Sequence, residues 1–289
     1  MSALHDETTA VLLLSCPDQP GVVAAVADFV YRHGGNIVDA QQHTDRTDGV
    51  FFQRVEFALE GCDLARDEIA PSLAPLVDRF DMDCAVRFSD DVPRVGVLVS
   101  RQAHCLVDLL ARSRRGELAI DIPVVISNHP DHAEVAEWFG VDFAHLPVTP
   151  DTKLQQEAAV QEELERHGVT LVVLARYMQI LSAGFVARWP DSIINIHHSF
   201  LPAFMGGRPY HQAHERGVKI VGVTAHYATA VLDDGPIIDQ DVVRVSHRDA
   251  VEDLQRRGRD LEVVVLARAV RAHIEHRVLV HGRRTVVFD

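Results

Sequence analysis

An amide, an imidazole and a carboxylate stand in this chain at positions that allow them to meet. Asn195 and His197 lie two residues apart in SIINIHHSF, so on an extended strand their side chains share a face. Asp233 follows in Asp233-Asp234-Gly235-Pro236, a turn sequence. An imidazole carries protons near neutral pH, and a carboxylate beside it holds the charged ring. The amide of Asn195 donates to a carbonyl oxygen, so amide and imidazolium together make an oxyanion clamp. The carboxylate takes a proton from water. The set is laid out for attack on an acyl carbon with no covalent intermediate.

Each residue alone has a plainer reading. A strand-end asparagine is often a turn residue, a single histidine is often structural, and Asp233 fits turn chemistry. Ser199 lacks the GxSxG elbow of a nucleophile. His197, His198, His211, His214 and His226 invite a metal reading, but no HExxH is present and the His211/His214 pair fits a solvated helix face. No metal is expected.

The elements that must position these residues are two β-branched runs. Ile193–Ile196 and Ile220–Tyr227 read as buried strands. A Pro- and Gly-bearing loop from Leu201 to Tyr210 lies between them. Upstream, apolar strands alternate with helices: Val95–Ser100, Ala103–Ser113, Ile122–Ser127, Ala133–Phe139, Val141–His145, Lys153–His167 and Leu171–Leu174. That alternation predicts a mostly parallel, Rossmann-like α/β sheet, with the site beyond the strand carboxyl ends. Asp249–His276 reads as a closing helix with a break near Gly258, and Val278–His281 with Thr285–Phe288 as a hairpin around Gly282.

Ahead of the polar boundary Ser89–Pro93 the order differs. Strand Thr9–Cys16, helix Val22–His33, strands Ile37–Thr44 and Val50–Leu59, helix Leu64–Phe80 and strand Met82–Phe88 give βαββαβ, a ferredoxin-like module. Two domains are expected, 1–90 and 91–289.

Composition narrows the function. The 289 residues carry a net charge of −14, which argues against nucleic-acid and membrane-surface partners. No apolar run reaches the length of a membrane span, and the N-terminus lacks a secretory pattern, so a cytoplasmic location is expected. Cys16, Cys62, Cys84 and Cys105 form no CxxC pair and read as reduced thiols. No GxGxxG or GxxxxGK[ST] follows a strand, and the turn VSRQAH is glycine-free. Nicotinamide cofactors and ATP are therefore disfavoured, and no cofactor is expected.

Taken jointly, Asn195-Ile196-His197, Ser199-x-Leu201-Pro202, Thr224-x-His226 and Leu232-Asp233-x-Gly235-Pro236-Ile237-Ile238 resemble the folate-dependent formyltransferase family. The likeness runs from Pro93 to near the end. It implies that Asn195, His197 and Asp233 are the catalytic trio. It also implies that Arg176, Tyr177, Met178, Gln179, Ile180 and Leu181, with His198 and Ala230, line the folate pocket. The N-terminal module resembles an ACT domain through Asp18, Gln19, Pro20 and Gly21, and through Gly35 and Asn36. Asp18, Gly21, Gly35 and Asn36 are then candidates for binding an amino-acid effector.

An ACT module ahead of a formyltransferase fold, without a glycine-rich phosphate loop or a further basic C-terminal domain, resembles the deformylase branch of that family. The resemblance implies hydrolysis of 10-formyltetrahydrofolate to tetrahydrofolate and formate, which feeds purine synthesis and balances one-carbon folate pools. It further implies methionine or glycine as effector and a homo-oligomer. Two alternatives stay open: formyl transfer to an amine, and a folate or amino-acid sensor without turnover.

Overall fold

The computed structural model describes residues 8–203 and 208–289. It divides into two units. One runs as far as Asp91 and includes Glu275–His281 and Val286–Asp289; the other holds Val92–Ile274 and Gly282–Thr285.

In the first unit, β1 (Thr9–Pro17), α1 (Val22–Arg32), β2 (Asn36–Asp45), β3 (Val50–Ala58), α2 (Arg66–Phe80) and β4 (Asp83–Phe88) form the ferredoxin-like module. Its antiparallel sheet has the order β2-β3-β1-β4. β1 is an unbroken apolar run because both its faces are covered. Leu12 and Leu14 pack on the helices with Val26, Phe29, Ile69 and Leu73. Val11 and Leu13 pack the other way, on Phe52, Phe288 and Leu279. Full burial of each such leucine contributes roughly 2 kcal/mol. Val22, Val26, Phe29 and Val30 give α1 its buried stripe. The helix stops at Gly34, whose φ is +71°; a Cβ there would lie 2.4 Å from the Gly61 carbonyl oxygen.

The second unit continues with β5 (Arg94–Val99), α3 (His104–Arg114), β6 (Asp121–Ser127), α4 (Ala133–Phe139), β7 (Asp142–His145), α5 (Lys153–Arg166) and β8 (Leu171–Leu174). Then come α6 (Ala183–Val186), β9 (Ile193–His197), α7 (Pro209–Arg216), β10 (Ile220–Tyr227), β11 (Ile237–Arg244) and α8 (Val251–Ile274). Part of the loop between β9 and α7, residues 204–207, lies outside the described residues.

The seven strands run in the order β11-β10-β9-β8-β5-β6-β7. From β9 to β7 the pairing is parallel, whereas β10 is antiparallel to both its neighbours. Val97, Leu98, Val124, Val125, Ile126, Val172 and Val173 are all fully buried, as a parallel sheet covered on both faces requires. β12 (Val278–His281) and β13 (Arg284–Val287) form the terminal hairpin.

Two features depart from the pattern reading. β11 carries Asp239, Gln240 and Asp241 and lacks an apolar run; it lies at the sheet edge, where Arg268 of α8 holds Asp239 and Asp241 at 2.6 and 3.0 Å. The expected break at Gly258 is absent, and α8 is continuous. Glycine is needed there for a different reason: a Cβ would lie 1.8 Å from Tyr210 Oη. Among the described residues no helix is long and apolar enough to cross a membrane.

Candidate active site

β9 ends in Asn195, Ile196 and His197, beside the ends of β8 and β10. His197 is buried, and its Nδ1 lies 3.1 Å from Asp233 Oδ1. Its Nε2 is 2.8 Å from Ser199 Oγ. Ser199 gives its single hydroxyl proton to the Ala203 carbonyl, at 2.9 Å. The hydroxyl therefore accepts from His197, and Nε2 carries a hydrogen. At Nδ1 a bare lone pair would face a carboxylate oxygen, so an ionised Asp233 draws a proton there too. The geometry favours an imidazolium–carboxylate pair.

Burial works against charge on Asp233, but the hydrogen bond and charge of His197, with smaller help from His226 and His198, hold its carboxyl below the usual range. Asp233 has φ +55°, a left-handed conformation that aspartate and asparagine tolerate better than most residues.

Asn195 Nδ2 lies 3.1 Å from His226 Nε2. His226 is directly opposite Asn195 in the β9–β10 register. Its Nδ1 is 2.9 Å from the Tyr227 carbonyl oxygen and must donate to it. Nε2 then accepts from the amide, provided the ring is neutral. Burial, the largest influence, pushes His226 down toward that neutral form. The tautomer of His226 thus fixes which way the Asn195 amide points, and one N–H of that amide is committed to it. Among the described residues the second N–H has no partner and is left for a ligand.

Thr224, opposite His197, donates to the Ser199 carbonyl and accepts from the Leu201 amide and Gln240. It sets the chain direction after β9. The sequence reading passed over Ser199 and His226 as working residues. The signal for His226 is strand register, visible only once β9 and β10 are known to run antiparallel; that for Ser199 is local, two residues beyond His197 and four before Ala203.

The segment after β8 is divided. Met178 and Ile180 are exposed, Gln179 and Leu181 half-buried. In the loop after β10, Ala230, Val231 and Leu232 are exposed. Apolar side chains open to solvent on these two loops suit a flat aromatic ligand. Arg176 and Tyr177 were expected to line that pocket, and their side chains turn inward instead. Tyr177 is buried, with Gln156 Nε2 2.9 Å from its hydroxyl. Arg176 is buried, with Nε 3.2 Å from Gln102 Oε1 and 3.5 Å from Glu262 Oε2. Its φ of +64° reverses the direction expected from strand alternation. Only backbone groups of these two residues remain for a ligand. His198 has its ring 5.1 Å from that of His197 and 6.1 Å from that of Tyr210. Burial, then the charges of Arg176 and His197, push its pKa down to about 4.

Among the described residues, His104, Cys105 and Glu262 bring ligating atoms within 4.8 Å of one another. Glu262 already faces His104 and the Arg176 guanidinium. Burial and the Glu262 charge drive the Cys105 thiol well up.

In the first unit the four effector candidates do not converge. Asp18 and Gly21 flank the β1–α1 turn, where the Asp18 amide meets the Gly49 carbonyl next to the start of β3. Gly35 and Asn36 sit at the start of β2, where Asn36 pairs with Ala58 at the other end of β3. A strand of that length separates them by roughly 25 Å. Gly35 has a packing role, since a Cβ there would lie 2.9 Å from Phe57 and Val30 atoms.

A formyl transferase family model matches residues 93–270, and an ACT domain model matches residues 10–73. The chain is 58% identical over 280 residues to a formyltetrahydrofolate deformylase of Synechocystis, covering 97% of this chain and 98% of that one. The deformylase of Escherichia coli is 42% identical, with 98% and 100% covered. Among solved structures, a deformylase of Pseudomonas syringae superposes with a TM-score of 0.97 at 46% identity, covering 99% and 96%. A glycinamide ribonucleotide transformylase of Symbiobacterium toebii matches at TM-score 0.66 and 38% identity, over 70% of this chain and 97% of its own. These deformylases match over nearly the whole of both chains, and the chain belongs to the formyltetrahydrofolate deformylase family.

Proposed function

We propose that this chain hydrolyses 10-formyltetrahydrofolate to tetrahydrofolate and formate. One observation carries the reading: the His197 ring is held by hydrogen-bond acceptors on both nitrogens, one of them the Asp233 carboxylate, beside an amide whose orientation His226 fixes. The exposed apolar residues of the 178–180 and 230–232 loops receive the pteridine.

The formyl oxygen lies toward the uncommitted N–H of Asn195. His197 contributes its charge to the developing oxyanion rather than a free N–H, because both ring nitrogens are engaged. Asp233 takes a proton from water as the water oxygen bonds to the formyl carbon. The carbon–N10 bond then breaks, N10 receives the proton from Asp233, and formic acid leaves, giving water's second proton to solvent as it becomes formate. Water and the residues of the chain supply every proton, and the cycle uses no cofactor.

The formate feeds purine synthesis and the reaction balances the folate pools, in the cytoplasm. The ACT module binds an amino-acid effector, methionine or glycine. The separation of Asp18 and Gly21 from Gly35 and Asn36 suits a site completed by a second copy, hence a homo-oligomer.

The test is formate release from 10-formyltetrahydrofolate with no amine present, repeated with methionine and with glycine. Stoichiometric formate and tetrahydrofolate are expected. Turnover that needs an added amine would instead make the chain a formyltransferase, and tight folate binding without formate would make it a sensor.

A further inference from the structure

We propose that Thr285 and Arg283, at the tip of the terminal hairpin, are positioning residues for Asp233: they fix the segment that carries the carboxylate to His197. The proposal deepens the hydrolytic reading above and rests on it.

Asp233 needs holding. Its φ is +55°, and the residues ahead of it, Ala230, Val231 and Leu232, are exposed. Its Oδ1 nevertheless lies 3.1 Å from His197 Nδ1. The hold comes from the residues that follow. Gly235 and Pro236 are buried. The Tyr227 amide donates to the Pro236 carbonyl at 2.9 Å. Gly235 presses so close to the end of β10 that a Cβ would lie 1.7 Å from the Tyr227 carbonyl oxygen. These contacts fix the segment against β10.

The hairpin tip takes the residues on either side of Gly235-Pro236. Arg283 pairs with the carboxylate of Asp234, the residue next to Asp233. Thr285 Oγ1 donates to the Ile237 carbonyl at 2.5 Å, where β11 begins at the edge of the seven-stranded sheet. An edge strand leaves backbone groups without a ladder partner, and a hydroxyl supplies one here. Asp234 and Ile237 are thus held by one short turn.

The hairpin is built to keep that turn in place. Gly282 and Arg283 make a two-residue connection between β12 and β13, with Gly282 at φ +59°. A two-stranded hairpin alone is marginal in water. This one is held at its base, where Leu279 and Phe288 pack on Val11, Leu13 and Phe52 within the first unit. The tip, Gly282–Thr285, groups with the second unit. Folding itself asks little of Arg283. Its side chain is 76% exposed, and an exposed ion pair contributes little to stability. Its consequence is the placement of Asp234, and through it of the neighbouring Asp233.

The experiment measures formate release from 10-formyltetrahydrofolate by the full-length chain, with rates referred to the folded fraction from circular dichroism. Thr285→Val keeps the β-branched shape and removes the donor, and Thr285→Ser restores the donor. In Thr285→Val, kcat should fall about five- to tenfold, the scale of one hydrogen bond, with KM within about twofold of the parent. Thr285→Ser should keep at least about half the parental kcat. A loss confined to kcat marks an interaction needed for the chemical step and not for folate binding. Arg283→Ala should lower kcat about threefold and Asp234→Asn by a similar factor. The double variant should lose no more than either, because both changes remove one contact. Parent-like kcat in Thr285→Val and Arg283→Ala overturns the proposal. So do equal losses in Thr285→Val and Thr285→Ser, or a loss that falls on KM instead of kcat. Should Thr285→Val fail to fold, Arg283→Ala, at an exposed position, decides alone. A parent chain that releases no formate overturns the hydrolytic reading instead.

Discussion

Replacing Asp233 by asparagine separates the chemistry of the site from its architecture. The side chain keeps its size, and asparagine tolerates the φ of +55° as well as aspartate does. His197 can respond by releasing its Nδ1 proton while Nε2 stays bound to Ser199, so no buried charge is stranded. Stability should change by no more than about 1 kcal/mol, within the usual cost of one hydrogen bond. Turnover loses two things together. Loss of the proton acceptor for water costs about 10²–10⁴-fold. Loss of the imidazolium charge near the oxyanion costs about 10²–10³-fold. Because one carboxylate supplies both effects, the losses overlap, and a fall in kcat of roughly 10³–10⁵-fold is expected. Formate release at saturating folate gives kcat, folate binding by calorimetry gives affinity, and a urea titration gives stability. Affinity and midpoint should be close to those of the parent. A variant retaining more than about a tenth of parental kcat would refute Asp233 as the acceptor of the water proton.

The Asn195–His226 contact makes a second prediction. His226→Leu removes the acceptor that orients the amide, and kcat should fall about tenfold with little change in KM, the worth of one oriented hydrogen bond. His226→Gln, which can accept from Asn195 and donate to the Tyr227 carbonyl, should recover part of the loss; equal rates in the two variants would contradict the orienting role. A third concerns acid. His198 and His276 are each pushed from 6.5 to about 4, chiefly by burial. Between those values the unfolded chain takes up protons that the fold refuses, so stability falls as pH drops through the window, by at most about 1.4 kcal/mol per pH unit for each histidine. Asp233 and Glu262, held low, keep their contribution until lower pH. Urea midpoints at pH 7.5, 5.5 and 4.5 measure the slope, which His276→Gln should reduce; a flat profile between pH 6.5 and 4.5 would contradict both assignments.

What the sequence revealed, and what it hid, follows from where each signal originates. β5, β6 and β8 are legible because burial on both faces leaves apolar runs with no alternation to misread. β11 was not, because an edge strand satisfied by Arg268 can afford two aspartates. Gly258 looked like a helix break because composition cannot show that Tyr210 occupies the place of its Cβ. Asn195 and His197 were found by strand parity, a purely local rule. The partners that set their protonation, Ser199 and His226, depend on the β9–β10 register and on a hydroxyl whose single proton is already spent on Ala203. Arg176 shows the same limit from the other side: one left-handed residue at the end of β8 turns a side chain expected in the pocket into the buried partner of Glu262. Residue types therefore identify the reacting groups, while the direction in which each donates is decided by neighbours: His226, brought opposite Asn195 by strand pairing, and Ser199, whose proton the loop after β9 commits to Ala203. That is why a mechanism built from Asn195, His197 and Asp233 alone gives His197 a free N–H for the oxyanion, and why the folded site gives that task to Asn195.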